Sequence, residues 1–422
     1  MSIITNLNIL SNKARENISK DLEITIENKF GMGPPKFIYP YTMCNETIKL
    51  PFAYAIQKLK LPRLERSNFP GTKIEFTGGV LREEQKIVRR EALTRLSSKG
   101  SVIISGFPGF GKTATAIELA AGIGFKTLVI VNKIVLIKQW KESIEKFCPG
   151  ARTQCITVKS KKEDSDFYII NAQNVEKMGR EFFKDIGLCL VDEVHMIVAE
   201  SLSKCLQHIF PRYMIGLSAT PYRPDGLDIL LELYFGDYKI IRKLYCKHTV
   251  YRVETGFTPP VEKTAQGRLN WGAILDAQAT NQIRNDLIVK IIRDHSTRNF
   301  LVLVKRVSQG EYLSKTLQEL GESVTDLIGS NQVFDTTARI LIGTCQKVGV
   351  GFDHAKMDTL LLATDIEEYF IQYLGRVFRT KEVEPIIFDL VDKNGVLIKH
   401  FNTRKSIYKE HGGTVINYQI SV

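Results

Sequence analysis

The sequence predicts an α/β protein with two tandem blocks of parallel strands flanked by helices, preceded by a small N-terminal accessory domain. Short apolar runs of four or five residues alternate with segments of helix length, which is typical of buried parallel strands joined by crossover helices. This alternation also begins twice along the chain, which indicates two blocks and not one. We expect domains at residues 1–78, 79–238 and 239–422.

Composition and charge limit the class of protein. The 422 residues are 44% hydrophobic and 25% charged, which excludes a disordered chain, a collagen, a coiled-coil rod and a small disulfide scaffold. The formal net charge of +12 indicates a polyanionic partner, although a basic surface alone would also explain it. Seven cysteines without a C-x-x-C pair are typical of a reducing compartment, and no apolar run has the length of a membrane span. We therefore expect a soluble, intracellular protein with no membrane partner.

The first 78 residues differ from the rest of the chain. Residues 31–35 are rich in glycine and proline, and Pro40, Pro51, Pro62 and Pro70 separate short apolar pieces. Glycine and proline at this density break helices and bound short strands. The pattern predicts a small accessory domain whose residues indicate no chemistry.

The two blocks follow in order. A polar helical stretch at 81–98 precedes the first strand, and a helix at 112–122 follows its glycine loop. The predicted strands of the first block are 101–105, 127–131, 167–170, 188–191 and 213–217. Those of the second block are 300–304, 339–342, 359–362 and 385–388. Residues 236–280, with weak periodicity, contain the junction between the blocks.

The glycine loop after the first strand is the strongest motif. Its residues Gly106, Gly109, Gly111, Lys112 and Thr113 belong to a segment that fits G-x-x-x-x-G-K-[ST] between a strand and a helix. Glycines let backbone N–H groups face a polyphosphate at a helix N-terminus, where the lysine reaches the phosphates and the threonine ligates Mg²⁺. A glycine-rich turn without a ligand is the weaker alternative.

Paired acids end a later strand of the same block. Asp192 and Glu193 follow the apolar run 188–191, so both carboxylates lie at the edge of the sheet where α/β proteins bind ligands. We expect Asp192 to hold Mg²⁺ and Glu193 to activate the attacking water. Alone, such a pair is often a solvated strand end, but 80 residues after a phosphate loop it indicates nucleotide hydrolysis.

Three further segments are weak when taken singly. Ser218 and Thr220 end a strand and could sense the acids. In the second block, one segment after a strand carries Thr344, Gly351 and Asp353, and another carries Gln372, Arg376 and Arg379. Arginines three residues apart lie on one helix face and suit a phosphate, although a solvated basic face has the same pattern.

The order of these segments resembles the superfamily two helicases, whose core is two RecA-like domains with ATP bound between them. The resemblance covers residues 79–422, about four-fifths of the chain. The resemblance implies that Arg82 and Gln85 belong to the segment that contacts the base, and that Gly106–Thr113 is motif I. Asp192–His195 would then be motif II, with His195 in coupling, and Ser218–Thr220 would be motif III. In the second block, Thr344–Asp353 would be motif V and Gln372–Arg379 motif VI, whose arginines complete the ATP site.

Two stretches look like the XPB branch of this superfamily, which includes the phage UvsW helicase and the poxvirus transcript-release helicase. They are the run 219–226, which contains Arg223, and the run 136–140, which contains Gln139. The resemblance makes both residues candidates for contacting nucleic acid or for coupling it to the ATP site. Members of the branch act mainly on DNA or on transcription complexes. The compact chain favours a viral or phage version.

The expected nucleic-acid surface departs from the family pattern at two places. Motif Ia lacks its usual proline before Lys133, and Asn171 and Gln173 stand where a threonine is usual. These residues, together with Lys138 and Lys305, remain candidates for binding a phosphate backbone without reading sequence. Trp140 and Trp271 are candidates for stacking on bases, although core packing is the simpler role for Trp140.

The sequence therefore predicts an ATP- and Mg²⁺-dependent helicase or translocase that binds nucleic acid, DNA in preference to RNA. We expect a monomer in the cytoplasm or nucleus, or in a virus factory or virion for a viral protein, with the N-terminal domain contacting a transcription or repair complex. An RNA helicase, a protein-remodelling P-loop ATPase and a binding module with a vestigial ATP site remain open.

Overall fold

In the computed structural model, the described residues are 2–26, 36–197, 203–220, 222, 227–265, 267, 269–349, 354, 356–367, 370–378 and 383–419. They divide into two compact units: the first comprises Met1–Gly106 and Phe110–Arg242, and the second comprises Phe107–Gly109 and Lys243–Val422. Residues before 79 belong to the first unit, so the division into three domains stays a prediction. No helix in the described part of the chain combines the length and the apolar character needed to cross a bilayer.

The N-terminal part of the first unit consists of short strands and one helix. Its elements are β1 (Ser2–Asn6), α1 (Asn12–Asp21), β2 (Ile24–Ile26), β3 (Lys36–Ile38), β4 (Thr42–Cys44) and β5 (Thr47–Pro51). The antiparallel strands β1, β5 and β4 lie in that order, and β2 pairs with β3. The backbone N–H of Ser2 donates to Ile209 O at 3.0 Å, which attaches this sheet to the residues that follow the paired acids.

A parallel sheet forms the centre of the first unit. Its described strands are β6 (Ser101–Gly106), β7 (Thr127–Val131), β8 (Thr153–Ile156), β9 (Phe167–Asn171), β10 (Leu188–Val191), β11 (Tyr213–Ser218) and β12 (Lys239–Arg242). Their order in the sheet is β12-β6-β11-β10-β7-β9-β8. The helices are α2 (Glu83–Lys99), α3 (Lys112–Ile123), α4 (Ile134–Phe147), α5 (Ala172–Met178), α6 (Val194–Ile197) and α7 (Asp228–Phe235). All residues of β6, β7, β9 and β10 are buried, which explains their uninterrupted apolar runs.

The second unit repeats this arrangement. Its described strands are β13 (His248–Glu254), β14 (Phe300–Val304), β15 (Val324–Leu327), β16 (Ile340–Thr344), β17 (Thr359–Leu362), β18 (Ile386–Val391) and β19 (Gly413–Asn417). They pair in parallel in the order β15-β16-β14-β17-β18-β13-β19. The helices are α8 (Trp271–Thr280), α9 (Gln282–Asp294), α10 (Val307–Glu319), α11 (Cys345–Gly349), α12 (Phe370–Val377) and α13 (Gly395–Glu410).

A buried ion-pair network joins α13 to the second sheet. Arg404 donates from Nε and Nη2 to the two carboxylate oxygens of Asp389 at 2.8 and 2.7 Å, and from Nη1 to Asp365 at 2.8 Å. Tyr408 donates its hydroxyl to Asp389 at 2.8 Å. The network holds α13 against the carboxyl ends of β17 and β18, with each charge paired as burial requires.

Candidate active site

The glycine loop has the backbone that a phosphate loop requires. β6 ends at Gly106 and α3 begins at Lys112; between them Gly109 has φ +86° and Gly111 has φ +87°. A Cβ at Gly111 would lie 2.3 Å from the side-chain nitrogen of Gln85. Both the left-handed backbone and the lack of space therefore require glycine at 111. The first N–H groups of α3 lack helical partners and make this end of the helix a site for an anion.

Side chains on both sides fix the loop. The Lys112 ammonium donates to Gly106 O at 2.7 Å, which folds the lysine over the loop. The buried Gln85 amide donates to Phe110 O at 2.9 Å and accepts from the backbone N–H of Arg82 at 2.8 Å. The Arg82 guanidinium also donates to Phe110 O. Arg82 and Gln85 thus hold the loop from the start of α2, and their contact with a nucleotide base stays a prediction.

The paired acids follow β10 directly. The N–H of Asp192 donates to Ile130 O at 2.9 Å, which continues the pairing of β10 with β7 by one residue. Asp192 Oδ1 accepts from the Glu193 N–H at 3.0 Å, and Oδ2 accepts from the Trp140 indole N–H at 2.8 Å. Glu193 has φ +46°, a backbone conformation that is strained for a side chain of its size. Strain of this kind at a strand end accompanies functional sites.

The two carboxylates concentrate negative charge. Removal of the Asp192 carboxyl group from water and the adjacent charge of Glu193 together raise the pKa of Asp192 to about 6, against the opposing effects of the Trp140 hydrogen bond and the Lys112 ammonium. Burial lowers the pKa of Lys133, while the charge of Glu193 acts in the opposite direction. A cation bound beside Asp192 would relieve this excess of negative charge.

His195 connects the acids to the end of β11. The Ser218 hydroxyl has one proton, and Oγ lies 2.7 Å from Thr220 O, so it donates there. Ser218 Oγ accepts from the Thr220 N–H at 3.0 Å and lies 2.8 Å from His195 Nδ1, which must therefore carry the imidazole proton. The same Nδ1 lies 3.5 Å from Glu193 Oε2. The buried Nδ1–H of His195 thus lies near two acceptors, Glu193 in the predicted motif II and Ser218 in the predicted motif III.

The predicted nucleic-acid contacts of the first unit lie at the ends of β7 and β9. Lys133 is half-buried and precedes α4, which contains the half-buried Gln139. Asn171 is 7% exposed, and its side-chain oxygen accepts from the N–H of the exposed Gln173 at 3.0 Å, which caps α5. The Asn171 oxygen therefore has a structural partner, and the contacts of all four residues with nucleic acid stay predictions.

In the second unit, the described candidates lie at strand ends and on α12. Lys305 is exposed directly after β14, and Thr344 is the last residue of β16. On α12, Gln372 is buried and Arg376 is half-buried. The Tyr373 hydroxyl donates to Cys345 O at 2.9 Å, which brings α12 and α11 together. The segments predicted as motifs V and VI are therefore neighbours within this unit.

Four predicted site residues lie outside the described residues: Arg223, Gly351, Asp353 and Arg379. The described helix α12 ends at Val377, so a helix face shared by Arg376 and Arg379 stays a prediction. The roles assigned to these residues by the resemblance also stay predictions.

The sequence interpretation missed the contact between Trp140 and Asp192. The core packing expected for Trp140 is confirmed and base stacking is excluded, because this side chain is 1% exposed and its indole N–H donates to the carboxylate. One sequence signal was available: Trp140 lies in the helix after β7, and a crossover helix packs over its own sheet. Trp271 is half-buried and stacks on His400 with ring centroids 5.4 Å apart.

The residues at this edge of the sheet fit a nucleotide with a magnesium ion. The Thr113 hydroxyl and the Asp192 carboxylate are oxygen donors of the kind that Mg²⁺ prefers, and Mg²⁺ commonly combines one or two carboxylates with waters and substrate phosphates. Within the described ranges, no group of three or more His, Cys, Asp or Glu side chains could hold a metal ion.

The fold and this site define the class of protein. Two parallel sheets flanked by helices, with a phosphate loop after β6 and paired acids after β10, are those of a P-loop nucleoside triphosphatase with tandem RecA-like domains. The solved structure of S. cerevisiae Dbp5 bound to RNA and ADP BeF3 matches with a TM-score of 0.57 and 14% identity, over 78% of this chain and 89% of that chain. The predicted fold class is confirmed.

Sequence comparisons agree with this class. Residues 79–223 match the family described as Type III restriction enzyme, res subunit. The chain is 43% identical to protein 161L of Invertebrate iridescent virus 6, named as a helicase, over 100% of both chains. It is 33% identical to protein 055L of Frog virus 3, also named as a helicase, over 79% of each. It is 23% identical to the DNA 3'-5' translocase XPB2 of Sulfurisphaera tokodaii, over 68% of this chain and 76% of the other.

The chain therefore belongs to the superfamily two helicases, in the group that large DNA viruses encode. It is an ATP-dependent helicase, so it hydrolyses ATP and binds nucleic acid.

Proposed function

We propose that the protein is a DNA helicase or translocase in which the contact between His195 and Ser218 couples ATP hydrolysis to movement along the strand. This contact carries the proposal. It joins His195, two residues after Glu193, to the end of β11 through a buried N–H, with Nδ1 2.8 Å from Ser218 Oγ and 3.5 Å from Glu193 Oε2. A small shift of β11 relative to α6 therefore changes which oxygen the N–H faces.

The ATP site performs hydrolysis with residues of the glycine loop after β6 and of the acidic pair after β10. The glycine loop and the N-terminus of α3 bind the phosphates, and Lys112 moves from Gly106 O to the phosphate oxygens. Glu193 orients the attacking water and accepts its proton. Mg²⁺, held by Asp192 and Thr113, would neutralise charge on the phosphates. The resemblance adds Arg376 and Arg379 as cations that stabilise the charge developing during transfer.

One observation supports DNA over RNA as the substrate. The relative XPB2 is named as a DNA translocase and matches over two-thirds of this chain. The net charge of +12 suits a motor that follows the phosphate backbone of either DNA or RNA, and such contacts weaken steeply as salt rises. RNA is the competing substrate and is a separate arm of the test.

The test measures the rate of ATP hydrolysis by the purified full chain in the presence of single-stranded DNA, of duplex DNA or of RNA, all of the same sequence. Strand displacement is measured in parallel. We expect DNA to stimulate hydrolysis at least tenfold more than RNA does. Stronger stimulation by RNA would overturn the DNA assignment, and the absence of stimulation by all three would overturn the motor itself. A salt titration of the stimulated rate provides the control for backbone binding.

A further inference from the structure

A buried tryptophan holds one oxygen of the proposed metal-binding carboxylate. The indole N–H of Trp140 donates to Asp192 Oδ2 at 2.8 Å, and the Glu193 N–H donates to Oδ1 at 3.0 Å. Each carboxylate oxygen can accept two hydrogen bonds or ligands, so each keeps a position for a further partner. Two donors on different oxygens fix the plane of the carboxylate, which a single donor would leave free to rotate.

The helix that carries this indole begins at the predicted nucleic-acid surface. At the start of α4, Ile134 is 77% exposed and Val135 is 49% exposed, although both are apolar. Further along the same helix, Leu136, Trp140 and Ile144 recur every four residues and are buried. Six residues separate Ile134 from Trp140, a rise of about 9 Å. A displacement at the exposed start of this rigid element therefore moves the indole as well.

We propose that Trp140 is a positioning residue that orients the Asp192 carboxylate for the metal–nucleotide complex and links its orientation to nucleic acid at the start of α4. The proposal rests on the proposed function for its nucleic-acid part. Its basis is geometric: a fully buried donor, a carboxylate with one donor on each oxygen, and a helix with an exposed apolar start. Partners that orient a metal-binding carboxylate commonly change metal affinity 10–100-fold when they are removed.

The first measurement is the Mg²⁺ dependence of binding of a fluorescent ATP analogue, for the wild-type chain and for Trp140→Phe. Phenylalanine retains an aromatic ring in the core and removes the N–H. We expect the Mg²⁺ concentration for half-saturation to rise about tenfold or more, with little change in nucleotide binding without Mg²⁺. DNA should lower this concentration in the wild type, and Trp140→Phe should lose that effect. Trp271→Phe, a change of the other tryptophan in the chain, is the matched control.

The second measurement leaves Trp140 in place, so it does not depend on the stability of the variant. Trp271→Phe makes Trp140 the sole tryptophan, and its emission should change when Mg²⁺ and the ATP analogue bind, because the charge beside its hydrogen-bonded carboxylate changes. A folded Trp140→Phe variant with unchanged Mg²⁺ dependence, or Trp140 emission that does not respond, would overturn the proposal. A third outcome separates the two proposals: Trp140→Phe needs more Mg²⁺ for half-saturation, but no nucleic acid stimulates ATP hydrolysis by the wild-type chain. This outcome would support the role of Trp140 in orienting Asp192 and contradict the proposed motor.

Discussion

Replacing Ser218 by alanine tests the coupling contact directly. The change removes the acceptor of the His195 N–H at 2.8 Å and two bonds to the backbone of Thr220 at 2.7 and 3.0 Å. Each of the three hydrogen bonds contributes roughly 0.5–1.5 kcal/mol, so the free energy of unfolding should fall by about 1.5–4.5 kcal/mol. One such bond, at about 1.4 kcal/mol, corresponds to a tenfold change in rate. In the variant, the His195 N–H keeps only Glu193 as a nearby acceptor and loses its contact with the end of β11. We therefore expect the stimulation of ATP hydrolysis by nucleic acid to fall about tenfold.

The assay measures steady-state ATP hydrolysis with and without DNA, and the binding of a fluorescent ATP analogue. ATP binding should change little, because Ser218 does not contact the glycine loop in the described hydrogen bonds. Ser105→Ala is the matched control: it lies opposite Ser218 in the pairing of β6 with β11 and is equally buried. Normal stimulation in Ser218→Ala, or an equal loss in Ser105→Ala, would refute the coupling argument.

Three further predictions concern other parts of the chain. Gly111→Ala should weaken ATP binding at least tenfold in a fluorescence titration, because alanine in this left-handed backbone costs about 1–2 kcal/mol and its Cβ displaces Gln85. The control is Gly150→Ala, which should bind ATP normally because nothing lies within 4 Å of the new Cβ. Arg404→Met should lower the free energy of unfolding by about 3–5 kcal/mol in urea, since the buried Asp389 charge loses its cation and keeps only the Tyr408 hydroxyl as a donor; a loss below about 1 kcal/mol would contradict this. Burial lowers the pKa of His248, with the charge of His411 in the same direction, while the hydrogen bond to Cys246 O and the charge of Glu384 oppose it. Unfolding then takes up a proton, so stability should decline as the pH falls below about 6.5, and His248→Gln should show a shallower decline.

The buried centre of each sheet could be predicted from the sequence. The strands 127–131, 188–191, 300–304 and 359–362 have the predicted bounds, because every one of their residues is buried and the apolar run is the strand itself. The phosphate loop could also be placed, since its glycines and lysine are fixed by local backbone geometry.

The strands at the margins of the sheets could not be predicted. β8, β12, β15 and β19 lie at the edges and are only partly buried, so their residues mix polar and apolar types over four or five positions. β13 lies between β18 and β19 yet has an irregular burial pattern, and it falls in the stretch interpreted as a junction. For the site, the contact of Trp140 with Asp192 joins residues 52 apart, and only the tertiary fold brings them together.

In the proposed mechanism, Glu193 and the glycine loop hydrolyse ATP in response to nucleic acid. The most direct test measures DNA-stimulated ATP hydrolysis by the purified full chain and by Glu193→Gln, with nucleotide binding measured in parallel. We expect stimulated hydrolysis in the wild type, and loss of hydrolysis with retained ATP binding in the variant, because the amide cannot take a proton from the attacking water. Full hydrolysis by Glu193→Gln would contradict it.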